Sequence, residues 1–294
     1  MDNLAYDLKT LAITKGDGSY STKAQRHRGL QLMARELADM GYKLPTAQSL
    51  KPKHIDALLA RWQAAGISTG TLKNRMSWVR WWAGKVQRGS VVPKLNSTLE
   101  IPSKLAWKGN KAHTTTGHLM QGLPEWMQTA LKLQMAFGLR LEESLKFTAE
   151  VADKGDHITL KAAWCKGGRA RSVPLTHPRQ RALLDELGGN GRAGAVMPLG
   201  VNYIQARKAL EAATWGVGIR NMHGHRHWYA QWRYQTLTGK PSPAAGGKTY
   251  DGLSGAERAT DYRARLAISR ELGHNRVEVT DTYLGARFAK REAE

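Results

Sequence analysis

Lys166-Gly167-Gly168-Arg169-Ala170-Arg171-Ser172-Val173-Pro174-Leu175 decides how the rest of the chain is read. Two adjacent glycines form a turn, and Ala170 to Leu175 follow it as a short β run. His157-Ile158-Thr159-Leu160 precedes the turn as a second β run, and the two together predict an antiparallel hairpin. Outward from this hairpin the apolar period is helical. On the C-terminal side helices are expected at about 177–187, 201–213 and 225–237, then a Gly-, Pro- and Lys-rich loop over 238–253. Ser254 with Glu257 forms a capping box for a helix ending near Leu272, and a short helix over about 276–284 carries Tyr283. On the N-terminal side a helix is expected from Pro124, a residue suited to a first turn, to Phe137.

The first 88 or so residues also read as helices. Leu30, Met33, Leu37 and Met40 recur at spacings of three and four. Ile55, Leu58, Leu59 and Trp62 repeat the pattern, as do Leu72, Met76, Val79 and Trp82 after a cap at Ser68 or Thr69. A bundle of about four helices is expected. Lys73, Arg75, Arg80 and Lys85 are interleaved on the last of them, so this helix offers a basic, Trp-bearing face. Trp78, Trp81 and Trp82 read equally well as core. Residues 87–112 look like a linker, with Gly89, Ser90, Pro93, Pro102 and Ser103 breaking periodicity and Lys104, Lys108 and Lys111 adding charge. The expected domains are 1–105 and 113–294. The fold class is mainly α with a small β-hairpin: an N-terminal helical domain followed by a mixed α/β domain.

Composition narrows the function. The net charge is +21, and the excess is shared between 19 Lys and Arg against 7 Asp and Glu over residues 1–112 and 26 against 17 over 113–294. A polyanion touched along the whole chain suits this, because each neutralised phosphate releases counterions. No apolar run approaches the roughly 20 residues of a membrane span. Met1-Asp2-Asn3-Leu4 does not open a secretory signal. One cysteine, Cys165, excludes a disulfide framework or a multi-thiolate zinc site and fits a reducing, cytoplasmic compartment.

Five short segments carry chemistry when read together. They are Gly138-Leu139-Arg140-Leu141-Glu142-Glu143, the turn residue Lys166, His223-Gly224-His225-Arg226-His227, Leu272-Gly273-His274, and Tyr283, nine residues beyond His274. Attack on a DNA phosphodiester needs a nucleophile, positive charge on the non-bridging oxygens and a proton for the leaving 5′ oxygen. Arg140 and Arg226 suit the phosphate, since a guanidinium donates in a planar fork and keeps its charge. A Tyr hydroxyl, with a reference pKa of about 10, needs a nearby base or positive field, which His223 or the arginines supply. Lys166, on its turn, suits protonation of the departing oxygen.

This order and spacing resembles the tyrosine recombinase (phage-type integrase) family, in particular integrases of bacterial integrative elements, over residues 113–294. Gly138 to Glu143 is similar to the family's first arginine box and His223-x-x-Arg226-His227 to its second. Leu272-Gly273-His274 followed by Tyr283 is similar to its third, and the hairpin places Lys166 at the catalytic lysine. The resemblance implies that Tyr283 forms a 3′-phosphotyrosyl link, that Arg140, Arg226, His223 and His274 contact the scissile phosphate, that Lys166 is the general acid and that Glu143 orients the first box. It implies no metal and no cofactor. It also implies a helical core-binding domain that clamps double-stranded DNA with the catalytic domain, a homotetramer on DNA, and accessory DNA-bending proteins in a bacterial, nucleoid-associated setting without a membrane role. Lys73, Arg75, Arg80, Arg169 and Arg171 are the expected DNA contacts.

The chain departs from the pattern at His225, where the family usually has leucine. It departs again in the 48 positions from Arg226 to His274, a longer separation than the family's. The extra length around 240–253 reads as a surface insertion, with Lys240 and Lys248 as further candidate contacts. Eleven residues follow Tyr283, so an exchanged tail would be short. The readings set beside recombination are a type IB topoisomerase, a DNA-binding regulator without catalysis, and a metalloprotein built on His223, His225 and His227.

Overall fold

The computed structural model describes residues 3–102, 109–189 and 194–288. The chain divides into two compact units, Met1–Leu105 and Ala106–Glu294.

The first unit is a four-helix bundle: α1 (Asn3–Thr14), α2 (Tyr20–Asp39), α3 (Pro52–Ala64) and α4 (Thr69–Lys85). Ser19 and Ser68 cap α2 and α4 by accepting the backbone N–H of Thr22 and Thr71. Pro52 opens α3, where its missing N–H costs nothing. The apolar positions at three- and four-residue spacing converge on one core that includes Leu8, Leu30, Leu37, Leu58, Trp62, Met76 and Trp82.

Two expectations for this unit change. The stretch read as linker begins later, because Val92, Leu99 and Ile101 are buried in the bundle core; Lys104 and Lys108 lie outside the described residues. The basic face of α4 is largely spent on structure. Arg75 pairs with Glu36 at 3.2 Å and lies over Trp62, while Arg80 donates to the Pro93 carbonyl at 2.9 Å. Trp81 donates to Asp17, which Arg26 and Lys85 also engage. Lys73 is half-buried.

The second unit contains α5 (Gly117–Met120), α6 (Glu125–Phe137), α7 (Leu141–Lys146), α8 (Ala149–Ala152), β1 (His157–Leu160), β2 (Arg171–Pro174), α9 (Pro178–Gly189), α10 (Tyr203–Gly216), α11 (Gly224–Thr238), α12 (Gly255–Glu271) and α13 (Asp281–Leu284). β1 and β2 pair antiparallel, with Leu160 opposite Arg171 and His157 opposite Pro174. α11 is the central helix and packs on α6, α12 and α13. The core around it includes Leu131, Phe137, Ile158, Val173, Tyr229, Ile268 and Leu272. Ser254 and Glu257 form the expected box at the start of α12.

The extra length after α11 is not a passive surface loop. It forms two 3-10 turns, Pro243–Ala245 and Tyr250–Gly252, and the first packs against α13, with Ser242 and Ala244 buried. Lys240 is tied to Glu257. No helix among the described residues is long and apolar enough to cross a membrane.

Candidate active site around Tyr283

The site forms where four chain segments meet at the N-terminal end of α11. Gly138 ends α6 at φ +60°, the left-handed conformation that favours glycine, and turns the chain so that Arg140 starts α7. Glu143, three residues on, reaches back to the Arg140 backbone N–H at 2.6 Å. The same carboxylate accepts Arg140 Nη1 at 2.9 Å and both terminal nitrogens of Arg171 at 2.6 Å. Glu143 is fully buried, yet these bonds satisfy it. Burial alone would raise its pKa; the hydrogen bonds and charge of Arg171, with Arg226 and the Arg140 N–H, hold it at about 2.

Arg171 belongs to this buried cluster. Strand alternation turns it inward beside Val173, and its Nε donates to the Glu271 carbonyl at 2.8 Å. It is a buried tie between the hairpin, α7 and α12. Arg169 is exposed on the turn.

Arg226 knots three of the motifs together. Its Nη1 donates to the Gly138 carbonyl, its Nη2 to the Leu272 carbonyl, and its Nε to the Tyr283 hydroxyl at 3.3 Å. Its guanidinium lies 5.6 Å from the centre of the Tyr283 ring. Arg140 Nη2 meets the same Leu272 carbonyl at 3.2 Å and lies 3.4 Å from His274 Nε2. Arg226 is 1% exposed and Tyr283 6%. Burial, above all, pulls the Arg226 pKa down to about 10, so it stays a cation at neutral pH.

Three imidazoles surround the Tyr283 ring. His227 lies at 4.8 Å between ring centres, His223 at 6.1 Å and His274 at 6.3 Å. His223 and His227 are four residues apart and share one face of α11. His225 faces away, with Nε2 2.7 Å from Thr115 Oγ1 and its ring against His113. The second motif contains His227 without giving it a role, and the i,i+4 spacing from His223 is the signal that reveals one. Desolvation within the site comes first, followed by neighbouring cations such as Arg226, in pushing His223, His227 and His274 down to about 4. At neutral pH they are uncharged acceptors beside two guanidiniums, Arg140 and Arg226.

Gln231 is a further residue at the site: its amide donates to the Tyr283 carbonyl at 3.0 Å and to Asn110 at 2.8 Å. Lys166 is not brought in. It stands exposed on the hairpin turn without a hydrogen-bond or ion-pair partner among the described residues. No group of three His, Cys, Asp or Glu side chains among the described residues is placed to hold a metal ion, in keeping with the opposed directions of His225 and the His223–His227 pair.

Comparison with known proteins follows the same lines. Residues 1–89 match the family described as phage integrase, N-terminal. No curated protein sequence matches the chain. Among solved structures, a lambda integrase dimer bound to a COC′ core site is similar at a TM-score of 0.62 and 12% identity, covering 99% of this chain and 79% of that one. The Tn1549 transposon integrase in complex with circular intermediate DNA gives 0.56 and 13%, covering 97% and 96%. The XerH site-specific recombinase bound to difH gives 0.59 and 15%, covering 97% and 81%. The first 89 residues therefore match the phage integrase N-terminal family model, and the chain as a whole shares the fold of these three structures.

Proposed function

We propose that the protein is a site-specific DNA recombinase that cuts and rejoins strands through Tyr283. The observation that carries this reading is the placement of the Tyr283 hydroxyl against the Arg226 guanidinium, inside a ring of three uncharged imidazoles and next to the Arg140–His274 pair.

The chemistry follows from the residues. Tyr283 Oη attacks the scissile phosphorus and its proton passes to a neutral imidazole, His227 or His223. The P–O5′ bond breaks, leaving a 3′-phosphotyrosyl link and a 5′ oxygen that takes a proton, for which Lys166 is the candidate donor once DNA draws its turn inward. Arg140 and Arg226 stabilise the charge on the non-bridging oxygens, where preorganised donors act most strongly. Attack by a 5′ hydroxyl of a second strand reverses the steps. Because the phosphodiester bond energy is kept in the tyrosyl link, the reaction calls for no nucleotide or metal. In the DNA-free protein Tyr283 and Arg226 cover one another, so a phosphate engages Arg226 only as the phenol rotates away.

The structural neighbours support the wider assignment. They include a lambda integrase tetramer bound to a Holliday junction and a transposon integrase on circular intermediate DNA. For this chain the proposal is a homotetramer acting on two double-stranded DNA sites, with integration or excision of a mobile element as its task and accessory bending proteins assisting it in the bacterial cytoplasm. Lys73 and Arg169 remain candidate DNA contacts.

The test uses nicked suicide duplexes drawn from the genomic neighbourhood, with EDTA present. Wild-type protein is expected to form a covalent adduct on a denaturing gel, and Tyr283→Phe none. Products joined between two duplexes distinguish recombination from topoisomerase-like relaxation. Binding of the true site without any adduct would leave a DNA-binding regulator as the better account.

A further inference from the structure

The segment between α11 and α12 grips the chain just beyond Tyr283. Gly285, two residues after the tyrosine, has φ +85°. A Cβ at this position would lie 2.6 Å from the Ala244 backbone nitrogen and 3.0 Å from Pro243. The second turn of the segment continues the contact: the Tyr250 N–H donates to the Arg287 carbonyl at 2.7 Å, and the Tyr250 ring meets Phe288 edge-on at 5.2 Å.

From below, α12 supplies Arg265, which is fully buried. Its Nε is fixed by Asp261 at 2.9 Å, and its Nη1 reaches Asp281 at 3.0 Å and the Gly285 carbonyl at 3.2 Å. Arg287 adds a bond to Asp281 at 3.2 Å. The four-residue helix α13 is thus tied at its first residue by Arg265 and beyond its last by the 240–253 segment. A helix of one turn has little stability of its own, so these ties set where the Tyr283 Cα sits.

We propose that residues 240–253 are a positioning brace for the nucleophile. They lock α13 onto its own subunit, so that the Tyr283 side chain swings about a fixed backbone pivot. The extra length between the second and third motifs is then part of the reaction's geometry. This rests on Tyr283 being the nucleophile.

Two variants test it, each read by duplex affinity, thermal midpoint and the single-turnover rate of adduct formation at saturating suicide duplex. Gly285→Ala places a methyl group against a backbone nitrogen that cannot yield, in a conformation reserved for glycine. A displacement of about 1 Å away from the chemistry can cost about 100-fold, and a loss of that order in rate is expected, with affinity unchanged. Tyr250→Pro removes the N–H to Arg287 and the ring on Phe288 at a position where proline suits the first turn; a loss of about tenfold is expected, equivalent to about one hydrogen bond. Tyr250→Phe keeps both the N–H and the ring contact, loses only the hydroxyl's hydrogen bond to Asp261, and should retain more of the rate than Tyr250→Pro.

Rates within twofold of wild type for Gly285→Ala and Tyr250→Pro would overturn the proposal. So would losses that track a lowered thermal midpoint and vanish on cooling, since the segment would then only stabilise the fold. Absence of any wild-type adduct would instead sink the nucleophile reading itself, and the brace with it.

Discussion

The two ends of α11 bury the same side chain in opposite ways. Near its C-terminal end Arg233, 4% exposed, holds Glu271 through Nε at 3.0 Å and Nη2 at 2.7 Å, and Tyr229 donates to the same carboxylate at 2.8 Å. The bonds and charge of Glu271 outweigh burial and raise the Arg233 pKa. Two turns earlier, Arg226 has no carboxylate at ion-pair distance among the described residues; its partners are two carbonyls and a phenol. A buried cation with neutral partners is costly. Arg233 is neutralised in the folded chain, whereas Arg226 still lacks an anion. The proposed phosphate site at the N-terminal end of α11 would exploit this difference.

Identical substitutions at the two ends should therefore give opposite phenotypes. Arg233→Gln leaves Glu271 buried with only the Tyr229 hydroxyl as side-chain donor. Breaking a buried pair from one side costs about 3–5 kcal/mol, so urea unfolding should shift by that amount, while adduct formation by the remaining folded protein stays near wild type. Arg226→Gln should do the reverse. Loss of one transition-state donor costs about 2.7–4 kcal/mol, read as a fall of about 100- to 1000-fold in adduct rate, with a much smaller change in unfolding. If both variants lose stability equally and Arg226→Gln retains its rate, the contrast between the ends is wrong.

How far this was legible in the sequence differs along the same helix. The hairpin and the main helices follow from local periodicity, whereas the Arg140, Arg226, His274 and Tyr283 motifs were read through the resemblance to tyrosine recombinases. The burial of Arg171 was legible in its own strand, since a period of two places it with buried Val173. Its partner Glu143 lies 28 residues upstream, too far for a local pattern to show the pair. Arg233 and Glu271 are separated by 38 residues, and nothing in either neighbourhood announces their contact. α1 is the fourth helix of the expected bundle, with Leu4, Leu8 and Ala12 at four-residue spacing. The grip of residues 240–253 on α13 is made largely of backbone atoms, which no residue pattern encodes.

Acid should sharpen the contrast. His223, His225 and His227 crowd the N-terminal end of α11, with His274 close by, and burial and the neighbouring positive charge hold all four at about 4 against an ordinary 6.5. Between these values the unfolded chain binds protons that the folded chain refuses. Stability present above about pH 6.5 is therefore lost progressively as the pH falls toward 4. Glu143, held at about 2, keeps its pairs throughout this window. Thermal midpoints should be flat from pH 8 to 7 and decline below pH 6.5. A midpoint unchanged down to pH 5 would show that the imidazoles protonate freely and that Tyr283 lacks neutral acceptors.

The smallest expected effect lies between the two arginines. Gln231 shares α11 with both but hydrogen-bonds to neither side chain among the described residues; its amide donates to the Tyr283 carbonyl and exchanges hydrogen bonds with Asn110. If the N-terminal end of α11 is organised around the tyrosine, Gln231→Ala should slow adduct formation about fivefold, the equivalent of roughly 1 kcal/mol for a partly exposed hydrogen bond. Its unfolding curve should move by less than that, because water replaces the lost amide at this half-buried position. A stability loss comparable to that of Arg233→Gln, without a change in rate, would place Gln231 with the structural end of the helix. The boundary between the two uses of α11 would then fall between His227 and Gln231, one helical turn apart.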